Sequence, residues 1–255
     1  MKLQDRVAIV TGGGTGIGRG ISEMFARAGA KVAVNYSRSR GDAEETVAAI
    51  QAAGGTAMAV CSDVSRDSDA RAMMEQVATA FGRLDVLVNN AGWSTRIPHE
   101  RLEDLTDEIW DRTLNTNLRG AFYCMRAAVP YLKKQAGSSI INVASVAAFS
   151  GTGSSIAYAA SKGGMLTMTK SFARILAPYV RVNAIAPGFV RTRFAGWPAS
   201  AFDQGESITP TKKLATPEEI GALAVYLASD DVPITGQTIE MDGGLAAIGA
   251  IPARS

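Results

Sequence analysis

The chain has 255 residues, a formal net charge of +2, 47% hydrophobic residues and 20% charged residues. This composition is ordinary for a globular protein and excludes collagen-like, disordered and disulfide-framework classes, while the near-neutral charge offers no concentrated basic surface for nucleic acid. The 26 glycines exceed the usual share of about 7%, so their positions need an explanation.

Cysteine, histidine and hydropathy patterns bear on compartment and metal binding. Cys61 and Cys124 lie in apolar surroundings, which predicts two buried free thiols in a reducing compartment. The single histidine, His99, has no cysteine cluster near it, so we predict no metal site and a solvated loop position. No apolar run approaches the ~18 residues that span a bilayer, and the amino terminus is unlike a signal peptide. We therefore expect a cytoplasmic protein with no membrane or nucleic-acid partner.

Short runs rich in valine and isoleucine alternate with longer amphipathic segments along the chain. Because the short runs are apolar on both faces, they predict strands of a parallel sheet that is covered on each side. The predicted strands are 6–11, 31–35, 56–61, 84–89, 139–143, 180–185 and 238–241. The predicted helices are 16–28, 41–53, 67–81, 107–134, 155–177 and 217–229. This alternation predicts an α/β fold, a doubly wound (Rossmann) parallel sheet of about seven strands within a single domain, 1–255.

One region, residues 192–213, breaks the alternation. It mixes glycine, proline and polar residues with Phe194, Trp197 and Phe202. A linker would lack such aromatics, whereas a mobile lid over a pocket uses them as apolar surface that is buried on closure. We therefore predict a substrate lid at about 192–213.

A glycine-rich turn, TGGGTGIG at 11–18, follows the first predicted strand and runs into a helix. Gly12 permits a tight turn, Gly16 lets the backbone approach a pyrophosphate, and Gly18 allows close packing of helix on strand. The amino end of the helix offers free N–H groups to phosphates. The pattern predicts a dinucleotide site. Its turn residues are Gly12, Gly14, Thr15, Gly16, Ile17 and Gly18.

The turn resembles the cofactor turn of the short-chain dehydrogenase/reductase family, as do NNAG at 89–92 and Pro187-Gly188 after the sixth strand. The resemblance covers residues 7–244, with strands and helices in the expected order. It implies an oxidoreductase that uses a nicotinamide dinucleotide. Cofactor contacts implied by these later motifs are Asn90, Ala91, Gly92, Pro187, Gly188, Val190 and Thr192.

The end of the second strand bears on the choice of dinucleotide. NAD sites usually place an acidic residue there for the ribose hydroxyls, but this chain has Tyr36, followed by Ser37 and Arg38. Serine and arginine can donate to a 2′-phosphate, although Arg38 and Arg40 could also be solvated loop residues. The resemblance adds that NADPH-dependent relatives often carry a basic residue at the position of Thr15, which is missing here. We predict NADP(H), with NAD less favoured.

Two further residues, Asp63 and Val64, follow the third predicted strand. By resemblance they form the adenine-side pair, with Asp63 accepting from the exocyclic amine. A helix begins soon after, so an N-cap role for Asp63 is also possible.

The catalytic constellation centres on Tyr158 and Lys162, which the i, i+4 spacing places on one helix face. A nearby ammonium favours the phenolate and is expected to lower the tyrosine pKa. By resemblance, Tyr158 donates a proton to the substrate carbonyl oxygen, Ser145 orients that oxygen, and Lys162 also binds the nicotinamide ribose, so that Tyr158 and Lys162 lie against the cofactor. Asn117 matches the family asparagine that holds a water in a proton relay, with Asn115 as a neighbouring alternative.

The substrate pocket is predicted from residues 93–95, 146–152, Phe189 and the lid aromatics. These are apolar, with no obvious arginine or lysine to hold an anion, so we expect a neutral ketone or aldehyde, or the alcohol in reverse. Sugar and steroid substrates stay open.

The overall resemblance is nearest to the β-ketoacyl-acyl-carrier-protein reductases, which use arginines near the active-site mouth to hold the carrier protein. The two corresponding positions are Ala136 and Tyr179, so a 3-oxoacyl-[acyl-carrier-protein] reductase is the alternative, with Lys133 and Lys134 as possible replacements. A non-catalytic NADPH-binding regulator would usually lack the tyrosine or the lysine, and this chain has both, so that class is disfavoured. A nucleotide-sugar epimerase or dehydratase would be expected to have a TGxxGxxG turn and a longer C-terminal domain. This chain has neither, so that class is also disfavoured.

Two long helices, 107–134 and 155–177, are apolar on more than one side. Such helices need a second partner beyond their own sheet. The resemblance implies a homotetramer built through them.

Overall fold

The computed structural model describes residues 3–230 and 232–249. Its centre is a seven-stranded sheet in the order β3-β2-β1-β4-β5-β6-β7, with every neighbouring pair parallel. The strands are β1 (Val7–Val10), β2 (Lys31–Tyr36), β3 (Thr56–Cys61), β4 (Val86–Asn89), β5 (Ser138–Val143), β6 (Val180–Pro187) and β7 (Thr238–Met241).

Helices cover both faces of this sheet. They are α1 (Gly16–Arg27), α2 (Arg40–Ala52), α3 (Asp67–Phe81), α4 (Asp107–Leu114), α5 (Gly120–Leu132), α6 (Ala147–Ser150), α7 (Ile156–Leu176), α8 (Ala199–Ile208), α9 (Pro217–Ala228) and α10 (Leu245–Ile248). One buried cluster joins the sheet to α1, α2 and α9 through residues such as Phe25 and Ile220. A second cluster joins the other face to α3, α5 and α7 through residues such as Met74 and Leu132. The predicted doubly wound fold is confirmed.

Two buried charged residues, Arg6 and Asp85, make contacts at the edge of the sheet where the strands begin. The Arg6 guanidinium donates to the carbonyl oxygen of Gly137 over 3.1 Å and pairs with Asp230. Asp85, fully buried, accepts from the backbone N–H of Val7 over 2.9 Å and pairs with Arg83. These contacts connect segments far apart in the chain at the edge where the strands begin.

The order of the strands reverses between β1 and β4, which places a crevice at the carboxyl edge of the sheet. The predicted strands and helices all exist, and their bounds differ by a few residues, except for two segments. The predicted helix 107–134 is broken by a π-helical turn at Asn115–Arg119. Residues 192–213 are also more regular than expected, because they contain a 3₁₀ turn (Phe194–Gly196) and α8.

The thiols and the histidine depart in part from expectation. Cys124 is buried, and burial raises the pKa of its thiol to about 12, but Cys61 is exposed at the last position of β3, which is the edge strand of the sheet. His99 lies in a loop as predicted but is half-buried, with no hydrogen-bond partner for Nε2 among the described residues. Within 3–230 and 232–249, no group of three or more metal-ligating residues occurs. None of the helices in these ranges has the length and apolarity needed to cross a bilayer.

Candidate active site

Two connected cavities lie along the carboxyl edge of the sheet. The larger, of about 720 Å³, extends from the glycine-rich turn to the residues that follow β5 and β6. The smaller, of about 390 Å³, lies at the ends of β2 and β3. Gly12, Thr15, Ser39, Ala91 and Gly92 line both. Together they form one cleft across the point where the strand order reverses.

The glycine-rich turn is held from behind by its neighbours. Gly12 has φ +60°, a conformation that favours glycine, and a Cβ at Gly18 would lie 2.1 Å from the Gly12 carbonyl oxygen. The Asn90 side chain donates to the carbonyl oxygens of Thr11 and Gly12 over 2.9 and 3.1 Å. The N-cap of α1, Thr15, makes no side-chain capping bond. The first N–H groups of α1 are therefore free to bind an anion in the cleft.

The end of β2 carries the predicted phosphate-binding residues. Tyr36, Ser37 and Arg38 all line the smaller cavity. The Arg38 side chain is exposed and makes no hydrogen bond or ion pair within the described part of the chain. Arg40, by contrast, pairs with Glu44 over 2.7 Å. Arg38 is therefore a cation available to a ligand at this end of the cleft.

Asp63 and Val64 also line the smaller cavity, after β3. Asp63 Oδ1 accepts from the Ser65 backbone N–H over 3.0 Å and from its hydroxyl over 2.7 Å. The N-cap of α3 is Arg66, so Asp63 does not cap that helix and instead stabilises the turn before it. One carboxylate oxygen is committed to this turn.

Tyr158, Lys162 and Ser145 meet on the wall of the larger cavity. Tyr158 and Lys162 lie one turn apart on α7, whose first turn is capped by the Ser155 hydroxyl. Ser145 follows β5 and hydrogen-bonds with Tyr158. Lys162 Nζ donates to the carbonyl oxygen of Val143 over 2.7 Å and lies 5.7 Å from the centre of the Tyr158 ring.

Burial controls the titration of this pair. It raises the pKa of Tyr158 to about 12, with the hydrogen bond from Ser145 acting in the opposite direction. It lowers the pKa of Lys162 to about 8. The expected lowering of the Tyr158 pKa by the Lys162 ammonium is therefore wrong in this structure. Desolvation of the phenolate is the largest effect on that pKa, and the ammonium is itself buried and donates to a backbone carbonyl.

Asn117 lies in the π-helical turn and is fully buried. Its Oδ1 accepts from the Trp93 backbone N–H over 2.7 Å, and its Nδ2 donates to the Trp93 carbonyl oxygen over 3.0 Å and to the Ser161 hydroxyl over 3.1 Å. The side chain thus joins the segment after β4 to α7. Asn115, the alternative, has no such side-chain contacts among the described residues and lines neither cavity.

Aromatic side chains form the outer wall of the larger cavity. Phe194 lies 5.6 Å from Tyr158, and Phe189 lies 5.6 Å from Trp197 and 6.4 Å from Phe202, as measured between ring centroids. Phe194, Trp197 and Phe202 all belong to the segment 192–213. This segment therefore forms part of the cavity wall beside Tyr158, and its role as a lid stays a prediction.

The whole chain resembles proteins of known family. Residues 12–246 match the family model described as enoyl-(acyl carrier protein) reductase. A 3-oxoacyl-[acyl-carrier-protein] reductase of Thermotoga maritima is 36% identical over 248 residues, which cover 96% of this chain and 99% of that protein. The chain belongs to the short-chain dehydrogenase/reductase family.

Solved structures agree with this short-chain dehydrogenase/reductase assignment. A short chain dehydrogenase from Burkholderia cenocepacia, crystallised in complex with NADP, superposes with a TM-score of 0.89 at 34% identity, over 97% of this chain and 100% of that one. A short-chain dehydrogenase/reductase from Serratia marcescens gives the same TM-score, 0.89, at 34% identity and the same coverage, 97% and 100%. The chain is accordingly an oxidoreductase of this family.

Most residues predicted for the site of this short-chain dehydrogenase/reductase line the cleft. Gly18 and Asn117 do not, since Gly18 packs against the turn and Asn117 lies behind the wall. All the other predicted residues line the cleft: Gly12, Gly14, Thr15, Gly16, Ile17, Tyr36, Ser37, Arg38, Asp63, Val64, Asn90, Ala91, Gly92, Ser145, Tyr158, Lys162, Pro187, Gly188, Val190 and Thr192.

The predicted substrate contacts at 93–95 are wrong for this structure. Trp93 lines the smaller cavity, and Ser94 and Thr95 line neither. The side chain of Asn117 holds the Trp93 backbone, while the hydroxyl of Ser94 bonds with that of Ser154 over 2.6 Å. These contacts leave Ser94 and Thr95 outside the lining of both cavities.

The structure adds residues that the sequence patterns did not single out. Asn35 accepts from the Gly12 backbone N–H over 3.2 Å and donates to the carbonyl oxygens of Val60 and Ser62 over 3.2 and 3.0 Å, which fixes the turn to its neighbours. Arg193, a cation in the larger cavity, pairs with Asp42, and Arg112 lines the smaller one. A polar residue inside a strand was the signal available for Asn35. Neither arginine has a sequence pattern that separates it from a surface arginine.

Proposed function

We propose that this protein is an NADP(H)-dependent carbonyl reductase or alcohol dehydrogenase, acting on a neutral ketone or secondary alcohol. The observation that carries this proposal is the placement of Ser145, Tyr158 and Lys162 together on the wall of a cleft whose other end presents Arg38. A protonated phenol beside a hydroxyl donor is suited to bind and protonate a carbonyl oxygen.

The cleft fits a nicotinamide dinucleotide. The uncapped amino end of α1 suits the pyrophosphate, Asp63 and Val64 suit the adenine side, and Gly188 and Thr192 suit the nicotinamide end. When bound, the cofactor supplies or accepts the hydride. The residues of the chain supply orientation, exclusion of water and the proton.

Proton transfer follows from the local pKa values. The pKa of Tyr158, about 12, keeps its Oη protonated at neutral pH, ready to donate to a carbonyl oxygen as charge develops on it. Ser145 donates a hydrogen bond to the same oxygen. The Lys162 pKa, about 8, lies near neutral pH, so this amine can exchange a proton under ordinary conditions.

NADP(H) is proposed over NAD(H) because of two neighbours at the end of β2. Tyr36 occupies the place of the usual acid, so no carboxylate there repels a 2′-phosphate. Arg38 has an unpaired guanidinium within the described residues, and guanidinium binds phosphate in bidentate fashion. The Burkholderia cenocepacia relative crystallised with NADP supports the same choice.

The wall built by Phe189, Phe194 and Trp197 favours an apolar substrate. Arg193, the added cation in this cavity, is neutralised by Asp42, so it does not argue for an anionic substrate. The segment 192–213 is proposed to be the substrate lid of a single-domain enzyme.

The alternative is a 3-oxoacyl-[acyl-carrier-protein] reductase, favoured by relatives of that name such as the Thermotoga maritima protein. Ala136 and Tyr179 were expected at the active-site mouth. Within one subunit this is wrong, because both lie where strands begin: Ala136 bonds to Arg6, and Tyr179 directly precedes β6. Lys133 lies over the Tyr179 ring at 6.0 Å, on the opposite edge from Tyr158.

The test is a screen of NADPH oxidation with aliphatic and aromatic ketones, aldehydes, sugars and acetoacetyl thioesters, each measured at 340 nm. Tyr158→Phe is the inactive control. Turnover of a neutral ketone supports the proposal. A rate at least tenfold higher on the carrier-protein thioester than on the coenzyme A thioester would favour the alternative. NADPH binding without turnover of any class would favour a non-catalytic regulator.

The proposed assembly is a homotetramer, to be tested by light scattering in solution. Ile175, on the last turn of α7, is 65% exposed, and an apolar side chain this exposed is consistent with a covering subunit. A mass four times the 26.7 kDa of one chain is expected.

A further inference from the structure

Arg112 and Trp93 form a stacked pair in the smaller cavity. The guanidinium carbon of Arg112, on α4, lies 4.0 Å from the centre of the Trp93 ring. At this distance the cation is in contact with the π face. Both residues line the smaller cavity and both are half-buried, so the pair is part of the cavity wall.

The guanidinium of Arg112 has no carboxylate partner among the described residues. Among the described residues it makes no ion pair and no side-chain hydrogen bond besides its ring contact. Arg126 is a useful contrast: it lies 5.0 Å from the Phe122 ring centre, but its guanidinium pairs with Asp67 over 2.7 Å. A stacked arginine with free N–H groups beside a cavity is suited to bind a ligand there.

The stack is held in place before any ligand binds. Two hydrogen bonds of 2.7 and 3.0 Å fix the Trp93 backbone to the Asn117 amide, and Asn117 is fully buried. The indole in turn limits the positions open to the guanidinium. A pre-positioned side chain loses less conformational entropy on binding.

The position of Arg112 within the cavity points to one part of the dinucleotide. Arg38 approaches from the α2 side of the sheet, where the second strand leads into that helix. Arg112 is on α4, which packs against α7 on the face that α3 and α5 also cover, and it shares the cavity wall with Asp63, Val64 and Thr116. A 2′-phosphate bound at Arg38 therefore leaves the base, not the phosphate, beside Arg112.

We propose that Arg112, stacked on Trp93, binds the adenine ring of the dinucleotide. This inference rests on the proposed function. A guanidinium plane stacks on a flat heteroaromatic base and can donate to its ring nitrogens. Because NAD and NADP share the adenine, Arg112 contributes equally to both, whereas Arg38 contributes to NADP.

Calorimetric titration of the purified protein tests this without turnover. The ligands are NADP⁺, NAD⁺ and nicotinamide mononucleotide, which lacks adenosine. Arg112→Ala is expected to raise the Kd of NADP⁺ and of NAD⁺ by the same factor, about tenfold for a stack of this kind, and to leave the mononucleotide unchanged. Arg38→Ala is the matched control and is expected to weaken NADP⁺ only.

Two further variants separate binding from folding. Arg112→Lys keeps the charge but loses the plane, so it is expected to behave like Arg112→Ala. Arg112→Gln keeps a flat polar group and should lose less affinity. Each variant is checked by thermal unfolding, and only variants with the Tm of the parent protein are compared.

The inference is overturned if Arg112→Ala weakens NADP⁺ alone, since Arg112 would then bind the 2′-phosphate. It is also overturned if neither dinucleotide is affected, or if the mononucleotide is weakened equally. Failure of the parent protein to bind any dinucleotide would overturn the proposed function and this inference together. Failure of the inference with normal binding by the parent protein leaves the proposed function intact.

Discussion

Arg193 and Asp42 form an ion pair of 2.6 Å that joins the loop after β6 to the first turn of α2. Both residues line the larger cavity. The neighbouring Thr192 contacts the glycine-rich turn, since a Cβ at Gly16 would lie 3.1 Å from its methyl group. The loop and the helix therefore meet over the part of the cleft proposed to hold the pyrophosphate.

Asp42→Asn is expected to release this contact and speed dissociation of the dinucleotide. Because Arg193 is 79% exposed, the pair should contribute less than about 1 kcal/mol to folding. We therefore expect a several-fold higher off-rate with little change in Tm, measured by stopped-flow displacement of NADPH fluorescence. Arg191→Gln is the control, because Arg191 pairs with Asp203 and Glu206 instead. Equal off-rates in the parent and Asp42→Asn proteins would refute the predicted role of this ion pair in retaining the dinucleotide.

Tyr158→Phe removes the proposed proton donor while keeping the ring against Phe194. Loss of a general acid costs about 10²- to 10⁴-fold in rate, and we expect kcat to fall within or beyond that range. Dinucleotide affinity should stay within about twofold, as measured by calorimetry. Turnover retained at a tenth of the parent rate or more would rule out the assigned mechanism.

The stability of the protein is expected to depend on pH through Lys162. Its folded-state pKa, about 8, lies below its ordinary value of 10.5, so between these values the unfolded chain binds more protons. The free energy of unfolding should therefore rise as pH increases from about 8 to 10.5. Urea unfolding across this range measures the rise, which should be smaller in Lys162→Met.

Tyr158 gives the opposite dependence at higher pH. Its folded-state pKa, about 12, lies above the ordinary 10.0, so its contribution to stability is complete below pH 10 and is lost as pH rises toward 12. Tyr158→Phe should weaken this decline. An unchanged pH profile in both variants would contradict the burial of the pair.

Tyr36→Asp is expected to change the preference for dinucleotide. An acid at this position accepts hydrogen bonds from the ribose hydroxyls of NADH and repels the 2′-phosphate of NADPH. We expect the ratio of kcat/KM for NADPH to that for NADH to fall at least tenfold. Tyr36→Phe is the matched control and should leave the ratio nearly unchanged. A fall of similar size in both variants would show that the lost hydroxyl, not the new charge, is responsible.

Gly18→Ala tests the close packing of the glycine-rich turn. The added Cβ would lie 2.1 Å from the Gly12 carbonyl oxygen, so the turn must shift, at a cost of about 1–3 kcal/mol in unfolding free energy. Gly41→Ala is the control, because a Cβ there meets nothing within 4 Å. Chemical denaturation of both variants measures the difference. Equal stability would mean that the turn relaxes without strain.

Sequence patterns predict the sheet well because both strand faces are buried and their helices have recognisable ends. They fail where a contact depends on topology. The π-helical turn at Asn115–Arg119 interrupts a smooth apolar pattern, and nothing local marks it. Trp93 lies in the smaller cavity because Asn117, which is 24 residues away, holds its backbone.

The same reason explains the residues that were missed or misplaced. Arg193 and Asp42 are 151 residues apart in sequence, and Arg112 contacts Trp93 only because α4 folds back over the segment after β4. The resemblance identifies Ala136 and Tyr179 as corresponding positions, but a position in the sequence does not say at which edge of a sheet a residue lies. The parallel strands put these two at the edge opposite Tyr158.

The two edges of the sheet thus have different roles, one in stability and the other in binding. Arg6, Asp85 and Asp230 hold together the edge where strands begin, while the cleft and the proposed lid occupy the edge where strands end. Trp197 and Phe202 lie at the cleft edge, so substitutions there are expected to leave the anchoring contacts intact. A protein divided in this way can change its substrate over evolutionary time without first losing its fold.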